Sequence, residues 1–304
     1  MHVILPGPAL PAGVVSAAWK IVYVPVPKAA CTSMLWTLAD VQQETAEPLD
    51  IASSAAVTRS LLVHEPAFWR RTALLHTLPA AEWSRICGDD EWLIFTITRD
   101  PVSRLWSAWQ SKLLMREPRF VGAFGDRSWF PRVPRSRRDV VEDFRCFVEA
   151  LGDDEALLRA DRHWQPQVEL LALDRVDFTH VGTTSAYPRT LDVVEHHLAG
   201  QGWRGPLASR RENATLIGVD ALGAVDEDMR HAIESIYADD MRALGYAGRP
   251  APERSARAVD EQAAQLLVAG VREIVARHER VGDLVELLGG ARTPPLQWRP
   301  AHQH

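Results

Sequence analysis

Residues 20–33 read KIVYVPVPKAACTS, and this stretch decides the fold. Its first part, 20–27, is an apolar, β-branched run bounded by prolines, which is typical of a buried strand. From Thr32 or Ser33 to about Gln43 the apolar residues recur at helical spacing, and the two hydroxyls are suitable helix caps. The stretch therefore predicts a buried strand that turns directly into a helix.

A second stretch repeats this pattern. Residues 92–98, WLIFTIT, predict another buried strand, and residues 99–101 end it with Arg-Asp-Pro. A helix is expected over about 102–115, because proline is favourable in a first helical turn. Residues 176–182 are a third strand candidate. Strands that alternate with helices predict the α/β class with a mostly parallel sheet, in which ligands bind at the carboxyl ends of the strands.

The rest of the chain is mostly helical in pattern. Residues 116–138 are the exception, because they are rich in arginine, proline and aromatics and predict a long irregular loop. We expect one domain over residues 1–289, with a helix-rich C-terminal part, and a frayed, flexible tail over 290–304. Further helices are expected near 64–75, 79–87, 139–151, 186–199, 226–244 and 259–288.

Composition narrows the class of protein. The 304 residues carry a net charge of −6, whereas a general nucleic-acid binder is usually basic. The three cysteines are not spaced as a metal or redox pair, which fits a reducing compartment. The N-terminal segment lacks the features of a signal peptide, and no run of 18 apolar residues occurs. We therefore expect a soluble, cytoplasmic protein with no membrane span and no nucleic-acid partner; its oligomeric state is unknown.

The turn at residues 27–33 has the chemistry of an anion site. Helix N-termini present backbone N–H groups and a partial positive charge, and the small side chains let an anion approach the backbone. The turn holds no glycine, so it is not a Walker A loop. A plain strand-to-helix connection with a solvated lysine is an equal alternative for this segment alone. The residues that we assign to the site are Lys28, Ala29, Ala30, Cys31, Thr32 and Ser33.

The turn after the second strand repeats this logic. Arg99 lies at the carboxyl end of the predicted strand, and Ser107 lies on the second turn of the following helix. An arginine fork with a serine hydroxyl suits a terminal phosphate. The alternative is a local ion pair between Arg99 and Asp100, with Ser107 as a neutral helix residue.

The two turns together resemble a known family. Residues 27–33 (P-K-x-A-x-T-S) resemble the 5′-phosphosulfate loop of sulfotransferases that use 3′-phosphoadenosine 5′-phosphosulfate (PAPS), and residues 99–112 (R-D-P-x-x-R-x-x-S-x-x-x-x-K) resemble their 3′-phosphate motif. Residues 161–167 and 236–246 resemble the H-W-x-P-Q and Y-x-x-D…G-Y stretches of the same proteins. Over about residues 20–247 the chain is similar to carbohydrate sulfotransferases of the chondroitin 4-O type (sulfotransferase family 2) and their bacterial relatives.

The resemblance implies a fold, a donor and residue roles. The fold would be a P-loop-like, three-layer α/β sandwich, and the reaction would need no metal. Lys28 would contact the oxygen that bridges sulfur and the 5′-phosphate, while the backbone and hydroxyls of residues 29–33 would hold that phosphate. Arg99 and Ser107 would hold the 3′-phosphate. PAPS would be the donor co-substrate, and the acceptor would be a hydroxyl, on a glycan by resemblance or else on a small molecule.

The acceptor hydroxyl must lose a proton, which a histidine accepts readily near neutral pH. His76 lies 23 residues before Arg99, which resembles the place of the catalytic histidine in heparan-type O-sulfotransferases. His163 lies in the H-W-x-P-Q stretch. These two are equal candidates for the base and His64 is the third, and each is open to a structural role instead.

Two other functions compete with this hypothesis. A nucleotide-dependent kinase of related fold would need a glycine-rich phosphate loop, which the sequence lacks. A non-enzymatic glycan-binding module would bind its ligand whether or not Lys28 is present. The arginine-rich segment 116–138 either grips an anionic acceptor, with its aromatics stacked on sugar rings, or forms a solvated surface loop.

Overall fold

The predicted strands at 20–27 and 92–98 are neighbours in the sheet of the computed structural model. The structure describes residues 10–45, 59–208, 210, 217–218, 222–248 and 260–287. These residues divide into two compact units. The sheet unit contains the described residues of 1–99 and 165–214, and the helical unit contains those of 100–164 and 215–304. The expected tail at 290–304 lies outside the described residues, and a single domain over 1–289 stays a prediction.

The sheet lies in the sheet unit and has five strands in the described residues. The strands are β1 Val14–Ser16, β2 Ile21–Val24, β3 Ala73–Leu74, β4 Leu93–Thr98 and β5 His180–Thr183. Their order in the sheet is β3-β1-β2-β4-β5. β2 pairs in parallel with β4, and β4 with β5, whereas β1 pairs antiparallel with both β2 and β3.

The sheet is therefore mixed, and the prediction of a mostly parallel sheet is wrong on the β1 side. Residues 17–20 alone join β1 to β2, and a parallel pair needs a crossover of a dozen or more residues. The three strands that the sequence predicts are present as β2, β4 and β5, although β2 is shorter than predicted and β5 begins at His180, four residues after the predicted start. The α/β class is confirmed as well, while the P-loop-like, three-layer arrangement stays a prediction.

Most of the predicted helices are present. Short helices at Glu155–Arg159 and Gln167–Leu171 were not predicted, and the expected helix at 226–244 is divided in two at Tyr237. Two other segments were predicted with the wrong structure. The segment near 64–75 is not a helix, because it forms short 3-10 turns at Arg59–His64 and Pro66–Phe68 followed by β3. The segment 116–138 is not wholly irregular, because Pro118 opens a short helix. The α-helices are α1 Cys31–Val41, α2 Ala80–Cys87, α3 Pro101–Trp109, α4 Pro118–Phe124, α5 Arg137–Asp153, α6 Glu155–Arg159, α7 Gln167–Leu171, α8 Tyr187–Gly200, α9 Glu227–Ile236, α10 Ala238–Ala243 and α11 Glu261–Leu287.

The core of the sheet unit explains why β2 and β4 form where they do. All residues of both strands are buried, as is usual for central parallel strands. Tyr23 and Phe95 stack with ring centroids 4.8 Å apart, and they share an apolar cluster with Leu35 of α1 and Val194 of α8. The apolar faces of two helices therefore hold the strands whose ends carry the predicted site.

The helical unit has its own apolar core. Trp106 of α3 packs edge-on against Phe144 of α5 at a centroid distance of 5.1 Å. The buried hydroxyl of Tyr237 donates a hydrogen bond to the carbonyl of Trp164 at 2.5 Å, which joins two of the stretches that carried the resemblance. Among the described residues no helix is both long enough and apolar enough to cross a bilayer.

Candidate anion-binding site

Two neighbouring strand ends build the candidate site. β2 and β4 run in parallel, with Val24 level with Thr96. Adjacent strands lie about 4.8 Å apart, so the segments that follow these two strands leave the sheet side by side. The turn at 27–33 follows β2, and Arg99 follows β4 directly.

A direct hydrogen bond joins the two turns. The guanidinium of Arg99 donates from Nη1 to the backbone carbonyl of Lys28 at 3.1 Å. Arg99 is half-buried, and both residues belong to the sheet unit. The structure thus brings the side chain of Arg99 to the backbone of Lys28. The alternative of an ion pair between Arg99 and Asp100 stays a prediction.

The backbone of the first turn is held in an uncommon conformation. Lys28 and Ala30 have φ angles of 68° and 58°. These values lie in the left-handed region, which residues other than glycine rarely adopt. Such residues cost on the order of 1–3 kcal/mol each and concentrate at functional sites. Ala30 is the N-cap of α1, and the first turn of that helix contains no acidic residue. The positive end of α1 therefore faces the turn without a carboxylate of its own helix to neutralise it.

The side chains that open α1 are buried. Thr32 and Ser33 are only 7% and 4% exposed. Burial raises the pKa of the Cys31 thiol, and the nearby charge of Lys28 offsets this effect only in part. Cys31 therefore stays protonated near neutral pH and supplies a small side chain rather than a nucleophile.

His64 is the histidine that the structure places against this turn. Its Nε2 lies 2.9 Å from the hydroxyl oxygen of Thr32, within hydrogen-bonding distance. His64 ends the 3-10 helix Arg59–His64, which packs against α1. Nothing in the sequence pattern relates positions 32 and 64, so reasoning from the sequence did not predict this contact.

His76 also lies at the edge of the sheet where β2 and β4 end, but it is farther from the turn at 27–33 than His64 is. It is exposed in a 3-10 turn, Leu75–Thr77, directly after β3. Two antiparallel pairings give β3 the same direction as β2, so His76 follows a carboxyl end. β3 is two strands removed from β2, which corresponds to roughly 10 Å between their axes.

His163 belongs to the helical unit, where a carboxylate orients it. Its Nδ1 lies 2.6 Å from Oδ1 of Asp161, whose other oxygen accepts from Arg119 at 3.1 Å. Burial raises the pKa of Asp161, but the contacts with His163 and Arg119 outweigh it and the pKa is lowered overall. Asp161 is thus a charged partner that sequence reasoning gave no role, although the Asp-x-His spacing is a usable signal.

Ser107 also belongs to the helical unit. It is 2% exposed on the second turn of α3. Asp100 caps this helix, since its side chain accepts a hydrogen bond from the backbone N–H of Ser103 at 2.9 Å. Lys28 and Arg99 thus belong to the sheet unit, and Ser107 and His163 belong to the helical unit.

The arginine-rich segment 116–138 is partly structural. Phe120 is 1% exposed within the core of the helical unit, so it is not available to stack on a sugar ring. Arg132 binds the carboxylate of Asp143 at 2.8 Å, and Arg138 binds Glu142 at 2.6 Å. Phe120 is therefore structural, whereas the side chains of Arg132 and Arg138 are 50% and 86% exposed, so acceptor binding by the arginines stays a prediction.

Comparison with known proteins identifies the family to which the chain belongs. No curated protein and no solved structure matches the chain. Within the described ranges, no group of three or more His, Cys, Asp or Glu side chains is arranged to hold a metal ion. The model of the sulfotransferase family matches residues 13–247, which include both turns and the sheet. The chain therefore belongs to the sulfotransferase family.

Proposed function

We propose that the protein transfers a sulfuryl group from PAPS to a hydroxyl of a carbohydrate acceptor. The observation that carries this proposal is the hydrogen bond from Arg99 to the carbonyl of Lys28. It joins the two turns that carry Lys28 and Arg99, and a nucleotide with separate 5′ and 3′ anionic groups needs a cationic residue for each group. The family membership supports sulfuryl transfer, and the motif resemblance supports PAPS as the donor.

The chemistry of the turn fits the 5′ end of this donor. Residues 29–31 carry only small side chains, which lets an anion approach the backbone after Ala29. The N–H of Ala29 itself donates to the carbonyl of Val26 at 3.2 Å. The start of α1 contributes a partial positive charge, and Lys28 contributes a full one. We assign the 5′-phosphate to residues 29–33, and the 3′-phosphate to Arg99 with Ser107.

Lys28 has the central role in the transfer step. It stabilises the negative charge that the bridging oxygen acquires when its bond to sulfur breaks, while the acceptor oxygen forms its own bond to sulfur. A compact ammonium suits a charge that develops on a single oxygen. The products are the sulfated acceptor and 3′-phosphoadenosine 5′-phosphate (PAP), and the acceptor proton passes to a base. As in phosphoryl transfer, positioning and charge stabilisation do most of the work.

A histidine accepts that proton, and His76 and His163 remain our candidates. His163 has the support of an oriented imidazole, because Asp161 holds its Nδ1. His76 has the support of its place at the carboxyl edge of the sheet. Loss of the true base lowers kcat by about 10²- to 10⁴-fold and removes one limb of the pH profile. The variants His76→Ala and His163→Ala, with His64→Ala in parallel, distinguish these assignments.

Binding of PAP tests the proposal before any acceptor is known. PAP at a hundredfold excess over its Kd should stabilise the fold by about 2.7 kcal/mol, which a thermal melt detects. ATP with magnesium is the control, since a kinase would prefer it. Labelled PAPS with a panel of sugars then identifies the acceptor. The proposal is contradicted if the protein does not bind PAP or binds ATP more tightly than PAP. The assigned mechanism is contradicted if Lys28→Ala still transfers the sulfuryl group at the wild-type rate.

A further inference from the structure

We infer that Gln167 is a positioning residue that fixes Arg99 for anion binding, an inference that rests on the proposed function. Gln167 is fully buried at the start of α7. Its side-chain Oε1 accepts a hydrogen bond from the backbone N–H of Arg99 at 3.0 Å, and its Nε2 donates to the carbonyl of Arg99 at 2.8 Å. One buried amide thus holds both backbone polar groups of the arginine.

The place of Arg99 in the chain explains why such a clamp matters. Arg99 lies one residue beyond Thr98, the last residue of β4, so the strand no longer fixes its backbone. Asp100, the next residue, already begins the cap of α3. An amide side chain is planar and carries both a donor and an acceptor, so it pairs with Arg99 much as a neighbouring strand would. Gln167 therefore fixes the direction in which the Arg99 side chain leaves the backbone.

The effect of the clamp extends to the first turn. The side chain of Arg99 reaches Lys28 and donates to its carbonyl. The backbone of Lys28 is in the left-handed region and needs its surroundings to hold it there. Gln167, Arg99 and Lys28 form a continuous series of hydrogen bonds within the sheet unit. Both cations of the proposed site thus depend on one amide that is not assigned any contact with the ligand.

A positioning role and a merely structural role predict different results. Gln167→Glu keeps the shape and the acceptor oxygen but places an oxygen where Nε2 donated. Thr96→Val is the matched control, because it removes another buried hydrogen bond from β4, in which the Thr96 hydroxyl donates to the carbonyl of Val24 at 2.8 Å. Both variants should lose stability to urea, and Gln167→Glu should lose more because it buries a carboxylate against the carbonyl of Arg99. Only Gln167→Glu should weaken PAP binding, with a Kd at least tenfold above wild type, while Thr96→Val stays within about twofold.

A double-mutant cycle with Arg99→Ala completes the test. If Gln167 acts through Arg99, the double variant binds PAP no more weakly than Arg99→Ala alone, because the effects are not additive. Additive effects on Kd, or a folded Gln167→Glu protein with wild-type affinity, overturn the inference. If Gln167→Glu does not fold, Gln167→Asn gives the same comparison, because its side chain has the same amide but is one methylene too short to reach Arg99. A wild-type protein that does not bind PAP contradicts the proposed function instead, and inorganic pyrophosphate then serves as the anion for the same variants.

Discussion

Replacing Gly182 of β5 by alanine should destabilise the sheet unit through a clash with α8. A Cβ at this position would lie 2.1 Å from the hydroxyl oxygen and 3.2 Å from the Cβ of Thr190, and contacts below 3.0 Å essentially do not occur. Thr190 is 1% exposed, and its β-branched side chain has little rotational freedom. The strand or the helix must therefore shift, which costs about 1–3 kcal/mol in an overpacked site.

Urea unfolding of a double-mutant cycle measures this clash. Thr190→Ala alone loses the hydroxyl, which lies 3.2 Å from Nε2 of His180, and should cost about 0.5–1.5 kcal/mol. In the Gly182→Ala background the same change also removes the clashing oxygen. The double variant should be more stable than the two single losses imply, by at least about 1 kcal/mol. A coupling energy near zero, or wild-type stability of Gly182→Ala, would refute the packing described for β5 and α8.

Three further predictions concern charge, burial and pH. Lys28→Ala should lower kcat for transfer by about 10²- to 10³-fold while PAP still raises the melting temperature, and equal losses in kcat and PAP affinity would argue against a role in the transfer step. Thiol labelling of the native protein should modify the two exposed cysteines quickly and Cys31 only after unfolding; fast reaction of Cys31 would show that the turn is open. Burial, with a smaller effect of Arg189, lowers the pKa of His180, so the unfolded state takes up a proton first and the free energy of unfolding should fall as the pH drops below about 6.5. In urea titrations between pH 7 and 5, His180→Asn should make the free energy of unfolding less dependent on pH. An unchanged pH dependence would contradict its assignment to His180.

Local chemistry alone predicted the two turns that carry the proposed site. Each follows a mostly apolar run, and each begins a helix with residues that favour a helix start, so the strand, the turn and the helix are all encoded within about 20 residues. The same local reasoning located α2 and α8. It failed for β1 and β3, which are three and two residues long and too short to show any periodicity.

The contacts across the chain required the tertiary structure. His64 meets Thr32 across 32 positions, and Gln167 meets Arg99 across 68. No local pattern encodes such pairs, because they depend on which strands become neighbours and on where the segments after them return to the sheet. The sequence by itself therefore predicted which residues bind an anion, through their charge, their size and their place at helix starts. The strand order, set by the packing of the apolar faces, decided that Lys28 and Arg99 lie together and which buried side chains hold them there.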